Sequence, residues 1–185
     1  VEELAYRGVI LGSYRYSSRI WAIVVSGLLF GAMHMNFNQM AYAVILGMML
    51  GLLAEVTGSI LSTMLAHFCF NEISVCLSYF MYHNSSMKTM VESASETAVS
   101  KQQLLITIVG MTPVAIGGLC IAFALLYALA VLNGRKKEVL DMFRRHRTYA
   151  DDGTEIRKPG IISIPLVIAM AVCIAFMIIS EIFWR

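Results

Sequence analysis

The sequence predicts an all-α, multi-pass transmembrane helix bundle, and three observations predict it. Of 185 residues, 58% are hydrophobic and only 14% are charged, where a soluble domain carries about 25% charged residues. The apolar residues are gathered into long runs, and the run over 60–82 reaches the roughly 20 residues that a bilayer core requires. Prolines number three, which suits long helices better than loops. The four cysteines (Cys69, Cys76, Cys120, Cys173) lie within apolar runs and form no C-x-x-C pair. Buried, unreactive thiols are therefore expected rather than a disulfide framework or a zinc knuckle.

The opening run Val1-Glu2-Glu3-Leu4-Ala5-Tyr6-Arg7 continues as helix to Leu11 and ends near Gly12-Ser13. It starts on a charged motif with no leading apolar span, so the expectation is an N-terminally truncated fragment lacking one or more upstream helices. Tyr14, Arg15, Tyr16 and Arg19 have the composition of a membrane interface. The span 20–35 is short and carries His34 near its end. Asn36-Phe37-Asn38-Gln39 is a polar break. The next short span, 40–54, holds Gly47 and Gly51 as a small-xxx-small packing face. A turn over 55–59 follows, with Thr57 or Ser59 to cap the next helix. After the full span 60–82, the polar, Ser/Thr-rich segment 83–103 reads as an exposed loop. The span 104–132 contains Pro113 and Gly117-Gly118, where a kink is expected. The last span is 161–184. The domain reading is a single membrane-embedded unit, 1–185, with a motif-bearing core over 1–83 and two C-terminal spans joined by the loop 133–160.

That loop contains eight Lys or Arg (Arg135, Lys136, Lys137, Arg144, Arg145, Arg147, Arg157, Lys158), which marks it as cytoplasmic. Counting spans backwards places the turn 55–59 on the same side, together with Arg15 and Arg19. Glu2 and His34 then lie roughly 20 Å from that face, and His67 roughly 12 Å, at about 1.5 Å per helical residue. All three fall in the central part of a core about 30 Å thick. Charged and polar groups at such depth are costly, so each is a candidate functional residue.

Their chemistry suits hydrolysis by water. No serine or cysteine shows a nucleophile motif, and a carboxylate in a low-dielectric pocket has its pKa raised towards a general base's range. Glu2 and Glu3 are about 100° apart round a helix and cannot face one point. Glu3 stands four residues before Arg7, the spacing of a helix ion pair, which assigns Glu3 to Arg7 and leaves the role of base to Glu2. His34 comes from another helix to bind or polarise the water. His67 and Asn71, at i and i+4 on one face, can both donate to a developing oxyanion.

Taken in order, Glu2-Glu3-x-x-x-Arg7, Phe30-x-x-x-His34 and His67-x-x-x-Asn71 resemble the signature of the CPBP family, the CAAX proteases and bacteriocin-processing enzymes, which includes the Ras-converting CAAX endopeptidases. The resemblance covers about residues 1–75. It implies an intramembrane glutamic-type peptidase in which Glu2 with His34 activates water and His67 with Asn71 forms the oxyanion site. Glu3, Arg7 and Phe30 are supporting residues, Phe30 as a pocket wall. The implied partners are membrane lipid and a peptide or lipidated-protein substrate, in the cell membrane. Family members have also been described as metalloproteases, and Glu2, His34 and His67, with Asn71, would be the zinc ligands in that version. Without H-E-x-x-H spacing, and with asparagine a weak zinc ligand, metal-free catalysis is preferred.

Plainer readings compete at each of these residues. A lone histidine in a membrane helix often only bonds a neighbouring helix, but two in this order with the acidic motif favour a site. His83 and His146 belong to an interface and a basic loop, Glu72 to structural pairing, and Glu181 with Arg185 to the interface. Val139, Leu140, Met142 and Phe143 beside Arg144 and Arg145 suggest a short amphipathic helix on anionic lipid, though positive-inside topology suffices. A membrane immunity protein or a proton-coupled transporter is the competing class. The latter would show repeated halves or paired broken helices, and neither is visible. Nucleic-acid binding has no support.

Overall fold

A helix opens the chain, but its hydrogen bonds are not those of the α-helix that the spacing predicts. In the computed structural model, which describes residues 1–85, 87–89, 100–143 and 160–183, Leu4–Ile10 is a π-helix. It leads into α1 (Leu11–Tyr14). The Leu11 amide bonds the Tyr6 carbonyl, five residues back, and the buried Ser26 hydroxyl donates to the same carbonyl at 2.9 Å. A carbonyl with two lone pairs accepts both, so a neighbouring helix supports the wider turn.

The helices that follow are α2 (Arg19–Ala32), α3 (Phe37–Thr57), α4 (Ile60–His83), α5 (Lys101–Leu132), α6 (Lys136–Asp141) and α7 (Ile164–Phe183). No strand occurs among the described residues. Four of these helices, α3, α4, α5 and α7, are long and apolar enough to cross a membrane. The protein is thus an all-α, multi-pass membrane bundle. The span expected over 20–35 is shorter: α2 has 14 residues, about 21 Å of helix. The basic-loop residues Arg144, Arg145, His146, Arg147, Arg157 and Lys158 lie outside the described residues, as do positions 90–99, Trp184 and Arg185.

Several boundaries move for identifiable reasons. The polar stretch after His34 starts a helix instead of separating two: the Asn36 side chain accepts from the Asn38 and Gln39 amides at 2.9 and 3.2 Å. That is an N-cap, and it lengthens α3 to 21 residues. Glu55, Val56 and Thr57, expected in a turn, form the last turn of α3. The turn is only Gly58-Ser59. Gly58 ends α3 at φ +67° with its amide on the Ala54 carbonyl, a left-handed cap for which glycine carries no Cβ penalty. Thr57 Oγ1 lies 2.6 Å from Ser62 Oγ and accepts the Ser59 amide at 3.3 Å. Further on, α5 runs as one helix through Pro113.

The chain divides into two units, Val1–Met64 with Leu129–Arg185, and Leu65–Ala128. In the first, α2 and α3 form an antiparallel pair through glycine. A Cβ on Gly47 would stand 2.9 Å from Gly27 Cα, one on Gly27 would stand 2.9 Å from the Met48 amide nitrogen, and one on Gly31 would stand 2.9 Å from the Met40 carbonyl oxygen. The Gly47/Gly51 face expected from the sequence is therefore a packing face, and Gly27 with Gly31 is its counterpart. Behind it, Leu11, Ala22, Ile23, Ala54 and Met142 form a buried cluster. Met142 and Val139 of the α6 region pack there, so those apolar residues serve the core rather than a lipid surface, while Leu140 and Phe143 stay exposed.

At the same end of this unit, charges from three distant segments meet. Glu55 is buried, 1% exposed, and bonds Arg15 at 2.6 Å, with Arg19 at 3.9 Å. Arg19 and Arg135 both reach Glu138, at 3.4 and 2.7 Å. The Arg135 hydrogen bond, then its charge, holds the Glu138 carboxyl below its ordinary pKa. Arg15 and Arg19, the end of α3 and the segment after α5 thus share one face, as the span count requires.

In the second unit, α4 beyond Met64 and most of α5 expose their apolar side chains. The expectation of buried thiols fails there. Cys69, Cys76 and Cys120 are exposed and only Cys173, in α7, is buried, because an apolar run in a membrane helix marks a lipid-compatible face as readily as a core.

Candidate active site

The first unit assembles the opening motif around Arg7. Arg7 donates to Glu3 at 3.0 Å and to the Gly47 carbonyl at 3.0 Å. Its guanidinium carbon stands 4.7 Å from the Phe30 ring centre and 5.9 Å from that of Tyr6. Glu3 and Arg7 are each 3% exposed. The expected pairing is present despite the π-helix, whose wider turn still brings residues four apart to one side. It is a buried ion pair with added hydrogen-bond and cation–π partners, the arrangement that makes such burial tolerable. Glu2, one position away, is exposed.

Phe30 is more than a wall. It is 1% exposed, and its ring meets Tyr6 edge-on at 5.3 Å and His34 at 5.1 Å, geometries that aromatic quadrupoles favour. One ring thereby positions both the arginine and the histidine. Tyr6, Phe30 and Ala43 form the small core here.

The sequence predicts His34 within the helical span 20–35, but the chain has left the helix there. The α2 helix ends at Ala32, and His34 sits in the turn before Met35, which adopts φ +54°. A non-glycine residue in that region is uncommon and costs about 1–3 kcal/mol. The turn carries the imidazole outwards and aims its Nδ1 at the Phe30 carbonyl, 2.8 Å away. A carbonyl only accepts, so Nδ1 is the protonated nitrogen, and in the neutral ring Nε2 keeps the lone pair. This is the orientation device common at histidines that hold a metal or a water. The last span, to which the sequence assigned no role, supports the same turn: Cys173 and Met177 pack on Ala32, with Met35 and Met40 beside them.

His67 and Asn71 lie on α4 in the second unit. They share a helix face, with His67 half-buried and Asn71 exposed. Sequence reasoning missed Ser26 as the donor to the Tyr6 carbonyl, and the Gly47 carbonyl and the Tyr6 ring as partners of Arg7. A small hydroxyl at Ser26, in the middle of an apolar span, was the available signal for the first.

Residues 1–73 match the model of the Rce1-like family, described as type II CAAX prenyl endopeptidase Rce1-like. The matched stretch contains all three motifs. No curated protein and no solved structure matches the chain.

Proposed function

We propose that the protein is an intramembrane endopeptidase, a reading supported by the match of residues 1–73 to the Rce1-like CAAX prenyl endopeptidase model. Its substrate is a membrane-associated or lipidated peptide, and its nucleophile is a water activated by Glu2 and His34. Glu2 takes a proton from the water, the hydroxide adds to the scissile carbonyl carbon, and Glu2 returns the proton to the leaving amine as the C–N bond breaks. His67 and Asn71 donate to the oxyanion between those steps. Their assignment comes from the motif order.

The observation that best supports this reading is the fixed His34 ring, with Nδ1 on the Phe30 carbonyl. That leaves Nε2 to accept from a water. The buried Glu3–Arg7 pair supports it further, because it ties up one of two adjacent carboxylates. With the basic segment 133–160 taken as cytoplasmic, the same topology places Arg15, Arg19 and Glu55 at the cytoplasmic face.

The test is cleavage of a panel of membrane-anchored peptides, farnesylated CAAX-type peptides among them, by the full-length protein with and without chelator. Glu2→Gln should lower kcat by about 10²–10⁴-fold and Asn71→Ala by about 10²–10³-fold, with chelator indifferent. Loss on chelation that zinc restores would make Glu2, His34 and His67 metal ligands. Cleavage that survives Glu2→Gln and His67→Ala alike would sink the assignment. Proton-coupled flux without cleavage would favour a transporter.

A further inference from the structure

Ser26, Phe30 and His34 follow one another at a spacing of four, so Ser26 extends by one turn the stripe of α2 that holds Arg7 and the imidazole. Ser26 is wholly buried. A hydroxyl in an apolar helix most simply bonds a carbonyl of its own helix, but Ser26 donates across to the Tyr6 carbonyl at 2.9 Å, which the Leu11 amide already bonds. The wide turns of Leu4–Ile10 change where the acidic motif points. In an α-helix Glu2 and Arg7, five residues apart, would point about 140° away from each other. In a π-helix the hydrogen bond joins residues five apart, so they stand nearly one above the other. Arg7 thereby has Glu3, at four residues, and Glu2, at five, on its own side. The Glu2 charge reaches both the Arg7 guanidinium and the Tyr6 hydroxyl.

Resting on the peptidase reading above, we propose that Ser26 is a positioning residue for the general base: its hydrogen bond holds the Tyr6 carbonyl in the wide turn, and the wide turn keeps Glu2 on the side of its helix that faces α2 and His34. Ser26 acts only through the backbone of the π-helix. Its own place is fixed, because α2 is seated on α3 with no room for a Cβ at the neighbouring Gly27. Arg7 is fixed as well, by its bond to the Gly47 carbonyl of α3. Without the Ser26 hydroxyl, the Leu11 amide can pass from the Tyr6 carbonyl to that of Arg7, four residues back, and the segment closes into an α-helix. One intrahelical bond replaces another in that change, so the bond from Ser26 is the difference between the two forms. Closure swings Glu2 away from α2 by roughly 90°.

The experiment uses the full chain in proteoliposomes. Spin labels on Glu2→Cys and on Met33→Cys, an exposed position at the tip of α2, give a distance by double electron–electron resonance, with the native Cys69, Cys76, Cys120 and Cys173 replaced by alanine. A swing of roughly 90° on a helix about 5–6 Å in radius carries a side chain about 8 Å, so Ser26→Ala should change that distance by at least about 3 Å. In the unlabelled protein, Ser26→Ala should lower kcat for the farnesylated peptide about tenfold, the scale of one hydrogen bond, with KM nearly unchanged. The control is Thr57→Ala, which removes a hydroxyl that bonds the Leu53 carbonyl at 2.7 Å and should move neither kcat nor the distance. An unmoved distance or an unchanged kcat in Ser26→Ala, or an equal loss in Thr57→Ala, would overturn the proposal. The distance reads the turn without catalysis. If it shifts while Glu2→Gln still cleaves, the role of Ser26 in the turn stands and the catalytic assignment falls. If it stays fixed while Glu2→Gln abolishes cleavage, the peptidase reading stands and Ser26 loses its role.

Discussion

The first unit buries two carboxylates, Glu3 and Glu55, and holds them in contrasting ways. Glu3 meets an arginine four residues on, in the same helix, and that arginine's side chain is wholly buried. Glu55 meets Arg15 at a sequence distance of 40, and the Arg15 side chain is 41% exposed. The first pair has no access to water on either side and depends on the Gly47 carbonyl and the Phe30 ring. The second is half immersed and shares its cation with a wider network. A buried ion whose partner is removed keeps its desolvation cost, whereas an exposed partner can be replaced by water or by another cation. The two sites carry the same chemistry with different consequences.

The sharpest way to break this contrast is Arg7→Met, which should destabilise the protein by about 3–5 kcal/mol by leaving Glu3 buried without its cation. The unfolding midpoint of the purified full chain in detergent reads it. Adding Glu3→Gln to Arg7→Met should recover more than half of the loss, and no recovery would show that Arg7 acts through Gly47 and Phe30 instead. A smaller effect is expected at the other carboxylate. Arg15→Ala should cost about 1–3 kcal/mol, since Arg19 stays within reach of Glu55. A loss as large as that of Arg7→Met would erase the distinction between the two carboxylates.

The smallest effect belongs to Glu138. Its carboxyl titrates below the ordinary 4.5 because of the Arg135 hydrogen bond and charge. A depressed carboxylate stabilises the fold above its unfolded pKa and loses that contribution as pH falls through the folded value. Wild type should therefore lose slightly more stability than Glu138→Gln on acidification below about pH 4.5, and high salt should shrink the difference because the group is exposed. Identical acid profiles would remove Glu138 from the network's energetics.

The same contrast explains how much could be read from the chain. Glu3 with Arg7, and Gly47 with Gly51, are local spacings on one helix, so the pair and the packing face were legible. The five apolar helices were legible as runs, because a bilayer demands length before anything else. The Glu55 network was not: 40 residues separate its closest partners, and periodicity says nothing of what meets in space. Nor was the π-turn, which depends on Ser26 from another helix reaching the Tyr6 carbonyl. At the candidate site, residue types in order supplied the candidates. The turn that frees His34 from α2 comes from a left-handed Met35, a conformation that methionine's identity does not advertise.

The length of α2 ties the His34 turn to the bilayer. A helix of about 21 Å that starts at the arginine face stops short of crossing a hydrocarbon core of about 30 Å. The distance from the His34 turn at its tip to the far headgroups therefore varies with the thickness of the surrounding lipid. Short-chain bilayers bring the far headgroups and their water towards the imidazole, and long-chain bilayers draw them away.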